Sequence, residues 1–177
     1  MRRTLIASVA ALALMGAGCA SAPPAPSAAP VSSSLTYASP DYGFSLAYPS
    51  HDEVHVRETT TRQTTYLGQK MDFFASVRDL HRTGETQPVS MAYVYADKGL
   101  TVDAFKRALE ASDPNVAVKS TENLTINGTS AVKMTSTTDA GIDKVHYLID
   151  RNGTLLVFSV FLNEDVNFRP IFNTIRF

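Results

Sequence analysis

Two Asn-Gly pairs, each between segments rich in Val, Ile, Leu and Thr, constrain this chain more than any other feature of its sequence. The first lies in NLTINGTSAVKM, at Asn127 and Gly128, and the second in KVHYLIDRNGTLLVFSVFL, at Asn152 and Gly153. Asn-Gly favours the positive φ angles of a type I′ turn, which joins two antiparallel strands into a hairpin. Because the two hairpins follow each other directly, we expect an antiparallel meander over about residues 122–162.

Several of the expected strands have apolar side chains on both faces. In PVSMAYVYA the alternation places Val89, Met91, Tyr93 and Tyr95 on one face, and Ala92 and Val94 on the other. The segment TLLVFSVFL alternates in the same way from Leu155 to Leu162. A strand that is apolar on both faces is typical of the centre of a sheet that is covered on both sides.

Two segments have the periodicity of helices that could cover such a sheet. In TVDAFKRALEAS, Thr101 is the expected N-cap and Asp103 lies in the first turn, where its charge is favourable against the helix dipole. In EDVNFRPIFNTIRF, Pro170 requires the helix to begin close before it, with Asn167 as the expected cap. The apolar positions are Val102, Phe105, Ala108 and Leu109 in the first segment, and Phe168, Ile171, Phe172 and Ile175 in the second. The predicted fold class is α+β, with a central, mostly antiparallel sheet covered by a few helices in an α/β/α sandwich.

The N-terminal segment has the layout of a bacterial secretory signal. MRR precedes the apolar and small-residue run TLIASVAALALMGAG, which ends at Cys19. The apolar core spans about eleven residues, whereas a membrane-spanning helix needs roughly 20, so residues 1–18 are predicted to be a cleaved signal peptide. The sequence MGAGC resembles a lipobox that has Gly16 where Leu is usual. This resemblance implies lipidation of Cys19, and the alternative is ordinary cleavage after Ala20 or Ala22.

Residues 19–34 are predicted to form a lipidated, disordered tether rich in Pro, Ala and Ser, because such a segment cannot bury enough apolar surface to fold. Residues 35–177 are enough for one domain. Acyl chains on Cys19 would contribute about 0.8 kcal/mol per buried methylene group and would hold the protein on a membrane. Ala20 and Ser21 resemble residues that permit sorting to the outer membrane. The expected location is therefore the periplasmic side of the cell envelope.

The charge balance does not favour a nucleic-acid partner. Loss of Arg2 and Arg3 with the signal leaves 14 basic residues against 17 acidic ones, a net charge of −3, and no aromatic residues interleave with a basic patch. The run RETTTRQTTY could bind a polyanion through Arg57 and Arg62, but such a run is more typical of a solvated hairpin or an edge strand.

The sequence HDEVH places His51 and His55 four residues apart, a spacing that on a helix would suggest a zinc site. The zincin pattern needs Glu directly after the first His, and here Glu53 comes one position late. The preceding YGFSLAYP has the alternation of a strand, and VHVR has β propensity. On a strand, residues four apart are separated by roughly 13 Å, too far to share a metal with bonds of about 2 Å. We therefore predict no metal and no cofactor.

The remaining histidines do not form a recognisable catalytic motif. His81 lies in the polar run RDLHRTGETQ, and His146 takes an alternating strand position in DKVHYLI. The chain has no G-x-S-x-G motif, no glycine-rich phosphate loop and no second cysteine. We therefore predict a protein that is not an enzyme and has no catalytic residues, and the alternative is a hydrolase that uses His81 or His146.

Both ends of the expected domain resemble the PsbP/Mog1-like domain family. In YASPDYGFSLAYPS a Tyr-Gly-Phe strand runs into Tyr-Pro, and RPIFNTIRF is similar to the family's closing signature. The resemblance covers residues 35–177 and implies an α/β/α sandwich with binding or assembly roles, such as photosystem subunits, a small-GTPase partner and exported lipoproteins. Family members often have a Trp soon after Tyr-Pro, where this chain has SHDEV.

Together these patterns predict a lipid-anchored envelope protein with a non-enzymatic binding or assembly role. Its contacts would be the membrane, through lipid on Cys19, and a protein or another envelope component, through the sheet edge or loops. Two alternatives stay open: a periplasmic hydrolase, and a carrier of a small apolar ligand with a pocket between sheet and helix.

Overall fold

The computed structural model describes residues 33–112, 115–137 and 141–177, so the predicted signal peptide, Cys19 and the tether up to residue 32 lie outside the described residues. The strands are β1 (Ser34–Ser39), β2 (Phe44–Pro49), β3 (Asp52–Val56), β4 (Gln63–Tyr66), β5 (Gln69–Asp79), β6 (Val89–Lys98), β7 (Ala117–Ile126), β8 (Thr129–Thr137), β9 (Asp143–Arg151) and β10 (Thr154–Phe161). The helices are α1 (Val102–Ser112) and α2 (Asp165–Phe172), and α2 follows a 3₁₀ turn at Leu162–Glu164. None of the helices in these ranges is long and apolar enough to cross a bilayer.

The main sheet has eight strands that pair antiparallel in the order β3–β5–β6–β10–β9–β8–β7, and β4 also pairs with β5. The two Asn-Gly pairs form the turns of the β7–β8 and β9–β10 hairpins, which confirms the predicted meander. Asn127 and Gly128 have φ angles of 48° and 81°, and Asn152 and Gly153 have 52° and 73°. These positive angles are those that a type I′ turn requires.

Helix α1 covers one face of the main sheet. The Thr101 Oγ1 accepts a hydrogen bond from the Ala104 N–H at 3.2 Å, which confirms Thr101 as the N-cap. Phe105 and Leu109 of α1 are buried against the sheet. The sheet residues buried in this cluster are Met71, Tyr95, Met134, Leu148, Leu155 and Val157.

Helix α2 and the β1–β2 hairpin cover the opposite face. The hairpin forms a separate two-stranded sheet whose Phe44 and Leu46 are buried with Phe168 and Phe172 of α2. The alternation predicted for YGFSLAYP is therefore correct, although this strand belongs to the covering layer. With α1 on the other face, the predicted α+β sandwich is confirmed.

The C-terminal helix differs from its prediction at both ends. It begins at Asp165 instead of after Asn167, because the preceding 3₁₀ turn leads directly into it. Ile175 lies beyond the helix in an extended tail, where it is fully buried. The tail is extended because Arg176 pairs with Ser45 of β2, through backbone hydrogen bonds of 2.8 and 2.9 Å.

Two β-bulges change which side chains face α2. The register between β5 and β6 shifts at Phe74 of β5 and at Met91 of β6, so each residue is extra in its strand. Met91 is therefore buried on the α2 side together with Ala92, whereas Tyr93 and Tyr95 lie on the α1 side. The predicted grouping of Met91 with Tyr93 and Tyr95 was wrong, because a bulge reverses the alternation of a strand.

Candidate functional site

A cleft of about 490 Å³ opens between the β1–β2 hairpin, the start of β3 and helix α2. Its lining residues are Ser34, Ala47, Tyr48, Pro49, His51, Asp52, Asp79, Met91, Val166, Asn167, Pro170, Ile171 and Thr174. These residues come from five strands and one helix that are distant in sequence. We refer to this site as the cleft.

Local backbone features bring these residues together. β2 ends at Pro49, whose ring leaves no N–H for further pairing, and the chain turns directly into β3. At the open end of the hairpin, Ser34 pairs with Pro49, and the Ser50 N–H donates to the Ser33 carbonyl oxygen at 2.9 Å. Thr174 fixes the C-terminal tail to β2, because its Oγ1 accepts from the Ala47 N–H at 2.7 Å.

Asp52 is the most unusual lining residue, because it is a charged side chain that is only 5% exposed. Strand alternation places it on the same face as Val54, which packs against the core on the α2 side. Its Oδ1 lies 3.7 Å from the Nε2 of His51, a side chain that is 55% exposed. Burial raises the pKa of the Asp52 carboxyl above its ordinary value of 3.8.

Asp79 lies opposite Asp52 in the β3–β5 pairing, but its carboxylate has hydrogen-bond donors. Its Oδ1 accepts from the His81 backbone N–H at 3.0 Å, and its Oδ2 accepts from the Arg82 Nε at 3.3 Å. Among the residues that the structure describes, none donates a hydrogen bond to the Asp52 carboxylate. Of the two facing carboxylates, only that of Asp79 accepts hydrogen bonds from described residues.

The two arginines near the cleft are each paired with a carboxylate other than that of Asp52. Arg78 donates to Glu53, its neighbour across the strands. Arg82 makes a bidentate contact with the nearly buried Glu164, at 2.5 and 2.6 Å, and this contact holds the pKa of that carboxyl below its usual range. Asp52 therefore forms an ion pair with neither of these two guanidinium groups.

A second polar cluster lies between the sheet and α1. The Ser136 Oγ is 3.0 Å from the Nε2 of His146, and the Tyr66 hydroxyl is 3.0 Å from the Oγ of Ser159. Ser159 faces His146 across the β9–β10 pairing. The Phe105 ring of α1 stacks edge-on against the imidazole, with ring centroids 5.4 Å apart.

This cluster is enclosed, since His146 is 0% and Ser136 1% exposed. Burial, together with the nearby positive charge of Lys144, lowers the pKa of His146 from 6.5 to about 3. Burial also raises the pKa of Tyr66 to about 12. A hydroxyl beside an imidazole is one arrangement used for nucleophilic catalysis, but a substrate cannot reach a pair this deeply buried. We therefore interpret Ser136 and His146 as a structural pair.

The structure separates the other histidines that the sequence singled out. His81 is exposed in the loop after β5, as expected. His51 precedes β3 and His55 lies within it, and the first three residues of VHVR belong to this strand, in agreement with their β propensity. His55 Nδ1 is 3.9 Å from Glu53 Oε1 and does not contribute to the cleft. Within the described ranges, no group of three or more His, Cys, Asp or Glu side chains is arranged to hold a metal ion.

The run RETTTRQTTY contains the edge strand β4, in agreement with the expectation of a solvated hairpin or an edge strand. Arg57 lies over the Phe73 ring at 4.6 Å, and Arg62 pairs with Asp41 at 2.7 Å. Both guanidinium groups therefore already have partners within the domain, and the polyanion alternative has no support from this geometry.

The sequence did not identify Asp52, Met91 or Val166 as site residues. The available signal for Asp52 was the segment SHDEV, which stands where the resemblance leads one to expect a Trp and which supplies His51 and Asp52 to the cleft. Met91 reaches the cleft through a bulge, and Val166 through the early start of α2. Neither feature has a sequence signature here.

The fold is similar to that of cyanobacterial PsbP (CyanoP) from Synechocystis sp. PCC 6803, known from a solution structure. The TM-score is 0.53 at 11% sequence identity, and the match covers 87% of this chain and 99% of the other. This similarity confirms the predicted PsbP-like fold. No protein-family model and no curated protein matches the sequence.

Proposed function

We propose that this protein is a non-enzymatic binding protein of the bacterial cell envelope, attached to a membrane through lipid on Cys19, with the cleft as its binding site. The observation that carries the proposal is the buried Asp52 carboxylate, which lines an open cleft without a hydrogen-bond donor from the described residues. The Asp52 oxygens are not among the fully buried side-chain atoms that lack a partner, so they stay accessible from the cleft, and a bound partner could supply the donor.

The rival hydrolase function has less support. The described hydroxyl–imidazole pair, Ser136 and His146, is enclosed beneath α1, on the other face of the sheet from the cleft. In the cleft, His51 has Asp52 beside it, but none of the hydroxyl residues that line the cleft forms a hydrogen bond with this imidazole in the described structure. A hydroxyl nucleophile needs a base within hydrogen-bond reach, and the described cleft residues do not supply that contact.

Membrane attachment rests on the sequence MGAGC and on the export signal before it. It is tested by the intact mass of the protein from native membranes, beside a Cys19→Ala variant. We expect a diacylglyceryl group on Cys19 in the wild type and release of the variant from the membrane. A wild-type protein that is soluble and carries no lipid would contradict the anchor.

The role of the cleft is tested by changing its most exposed apolar residue. Val166 is 73% exposed at the edge of the cleft, whereas Val56 is 44% exposed on β3 and does not line it. We expect Val166→Lys to abolish recovery of a crosslinked envelope component from native membranes, because it places a positive charge at the apolar entrance of the cleft. Val56→Lys, which adds the same charge elsewhere, should leave recovery unchanged. Equal recovery with both variants would argue against the cleft as the binding site.

A further inference from the structure

The unpaired carboxylate indicates which chemical group the cleft binds. A carboxylate can accept several hydrogen bonds, and Asp52 accepts none from the described residues although it is 95% buried. A donor with a positive charge would satisfy it best, because hydrogen bonds between ionised partners are the stronger ones. A ligand with only acceptor atoms would meet repulsion at this position.

The charges around Asp52 favour the same group. Asp79, on the facing strand, carries a second negative charge, and the nearest guanidinium group, that of Arg82, is held by Asp79 and Glu164. His51 stands at the exposed side of the cleft, 3.7 Å from the carboxylate. Asp52 and Asp79 therefore give the interior of the cleft its acidic character.

The rest of the lining is largely apolar. Around the acidic group stand Ala47, Tyr48, Pro49, Met91, Val166 and Ile171. The volume of about 490 Å³ lies within the range of roughly 300–1,000 Å³ that is typical of small-molecule sites. The cleft therefore combines one charged acceptor with a surface suited to hydrocarbon.

We propose that the cleft binds a small organic cation, in which an ammonium or guanidinium group contacts Asp52 and an apolar body contacts the surrounding side chains. This inference rests on the proposed function, because it takes the cleft to be the binding site. It adds the class of ligand, which is an amphipathic amine.

The test uses three probes of the same length: n-butylammonium, butan-1-ol and butyrate. The full chain, purified from membranes in neutral detergent with ¹³C-methyl-labelled methionine, is titrated with each probe at pH 7. After removal of the predicted signal peptide, the methionines are Met71, Met91 and Met134. Met91 lines the cleft, while Met71 and Met134 are buried on the α1 side and serve as internal controls.

We expect n-butylammonium to shift the Met91 methyl signal in a saturable way and to leave the Met71 and Met134 signals in place. Butan-1-ol should bind more weakly, and butyrate should not bind. Asp52→Asn should weaken the binding of butylammonium about 10- to 100-fold, which is the range for loss of a hydrogen bond to a charged group. Asp103→Asn, on the exposed side of α1, removes the same charge elsewhere and should leave the affinity unchanged.

Binding should also weaken in acid. Protonation of Asp52 removes the negative charge, and its raised pKa brings this loss to a higher pH than for an ordinary Asp. His51, Asp79 and Arg82 also face this carboxyl. In a His51→Asn variant, which lacks the imidazole, the loss of affinity in acid should persist, because it belongs to the carboxylates.

Equal binding of butan-1-ol and butylammonium, or an Asp52→Asn variant with wild-type affinity, would overturn the cation assignment. These results are separable from failure of the proposed function. If Val166→Lys abolishes capture of the envelope component but no ammonium binds, the assignment of the ligand class fails alone. If butylammonium binds through Asp52 and Val166→Lys leaves capture unchanged, the cation site stands and the proposed role of the cleft in capturing that component fails.

Discussion

The two faces of the main sheet both contain a histidine and an acidic or hydroxyl partner, but they differ in access. On the α1 face, the Ser136 Oγ and the His146 Nε2 are hydrogen-bonded and almost completely buried, while the Nδ1 of His146 has no partner among the described residues. On the α2 face, His51 is mostly exposed and Asp52 lines an open cleft. The first arrangement has an internal partner and no route for a ligand, and the second has a route and no internal donor among the described residues.

Under the proposed function, the same residue types serve stability in one place and recognition in another. A hydrogen bond between two buried groups offsets part of the cost of burying them. Burial of a charge without a donor lowers stability and makes sense where a ligand completes the site. Three changes would test the contrast, from the largest effect to the smallest.

The largest effect is expected from Phe105→Ala on the α1 face. Phe105 is fully buried against the His146 ring, so its loss leaves a cavity and should lower the free energy of unfolding by about 3–5 kcal/mol. Denaturant unfolding measures this change. Phe105→Leu, which keeps most of the volume, should cost about 1 kcal/mol. Similar values for the two variants would mean that packing over His146 is not what encloses this cluster.

A second prediction concerns the pH dependence that His146 gives to stability. Its pKa is about 3 in the folded protein and 6.5 ordinarily, so the unfolded chain binds more protons between these pH values. The free energy of unfolding should therefore fall as the pH drops through this window, by about 1.4 kcal/mol per pH unit from this residue. His146→Gln should lack this contribution when both proteins are unfolded in urea from pH 7 to pH 4. Parallel curves for the two proteins would contradict a neutral, enclosed His146.

The smallest effect separates the two facing carboxylates. At pH 7, Asp52→Asn should leave the free energy of unfolding unchanged or raise it by up to about 1 kcal/mol, because it removes a buried charge that lacks a donor. Asp79→Asn should lower it by about 1 kcal/mol, because Asp79 accepts from His81 and Arg82. Thermal unfolding of the two variants side by side measures the difference. A loss of stability in Asp52→Asn equal to that in Asp79→Asn would show that Asp52 has a stabilising partner.

Local sequence signals were sufficient for most of the fold. The Asn-Gly turns, the Thr101 cap and the two-faced alternation in β10 each depend on neighbouring residues, and the structure confirms all of them. The start of α2 depends instead on the 3₁₀ turn that precedes it, and the tail position of Ile175 depends on contacts with β2, more than a hundred residues away. Such contacts leave no periodic pattern in the segment itself.

The candidate site was predictable only in part, for the same reason. The segment around HDEVH drew attention as a metal motif and was assigned to a strand, and this strand brings Asp52 beneath α2. The role of Asp52 in the site depends on two further features. The nearby donors, His81 N–H and Arg82 Nε, bind Asp79, and a bulge places Met91 in the cleft. Neither the sharing of donors nor a bulge can be read from residue spacing.

If the chain is anchored before Ser33, as proposed, the pairing of Ser34 with Pro49 has a mechanical consequence. A pull on the chain before Ser33 would load the open end of the β1–β2 hairpin first, one pair of hydrogen bonds at a time, so that β1 would peel away before the main sheet is stressed. Ser34 and Pro49 both line the cleft. Tension along the chain and a ligand in the cleft would therefore both act on the hydrogen bonds between the start of β1 and the end of β2. A bound ligand would oppose the separation of these two strands.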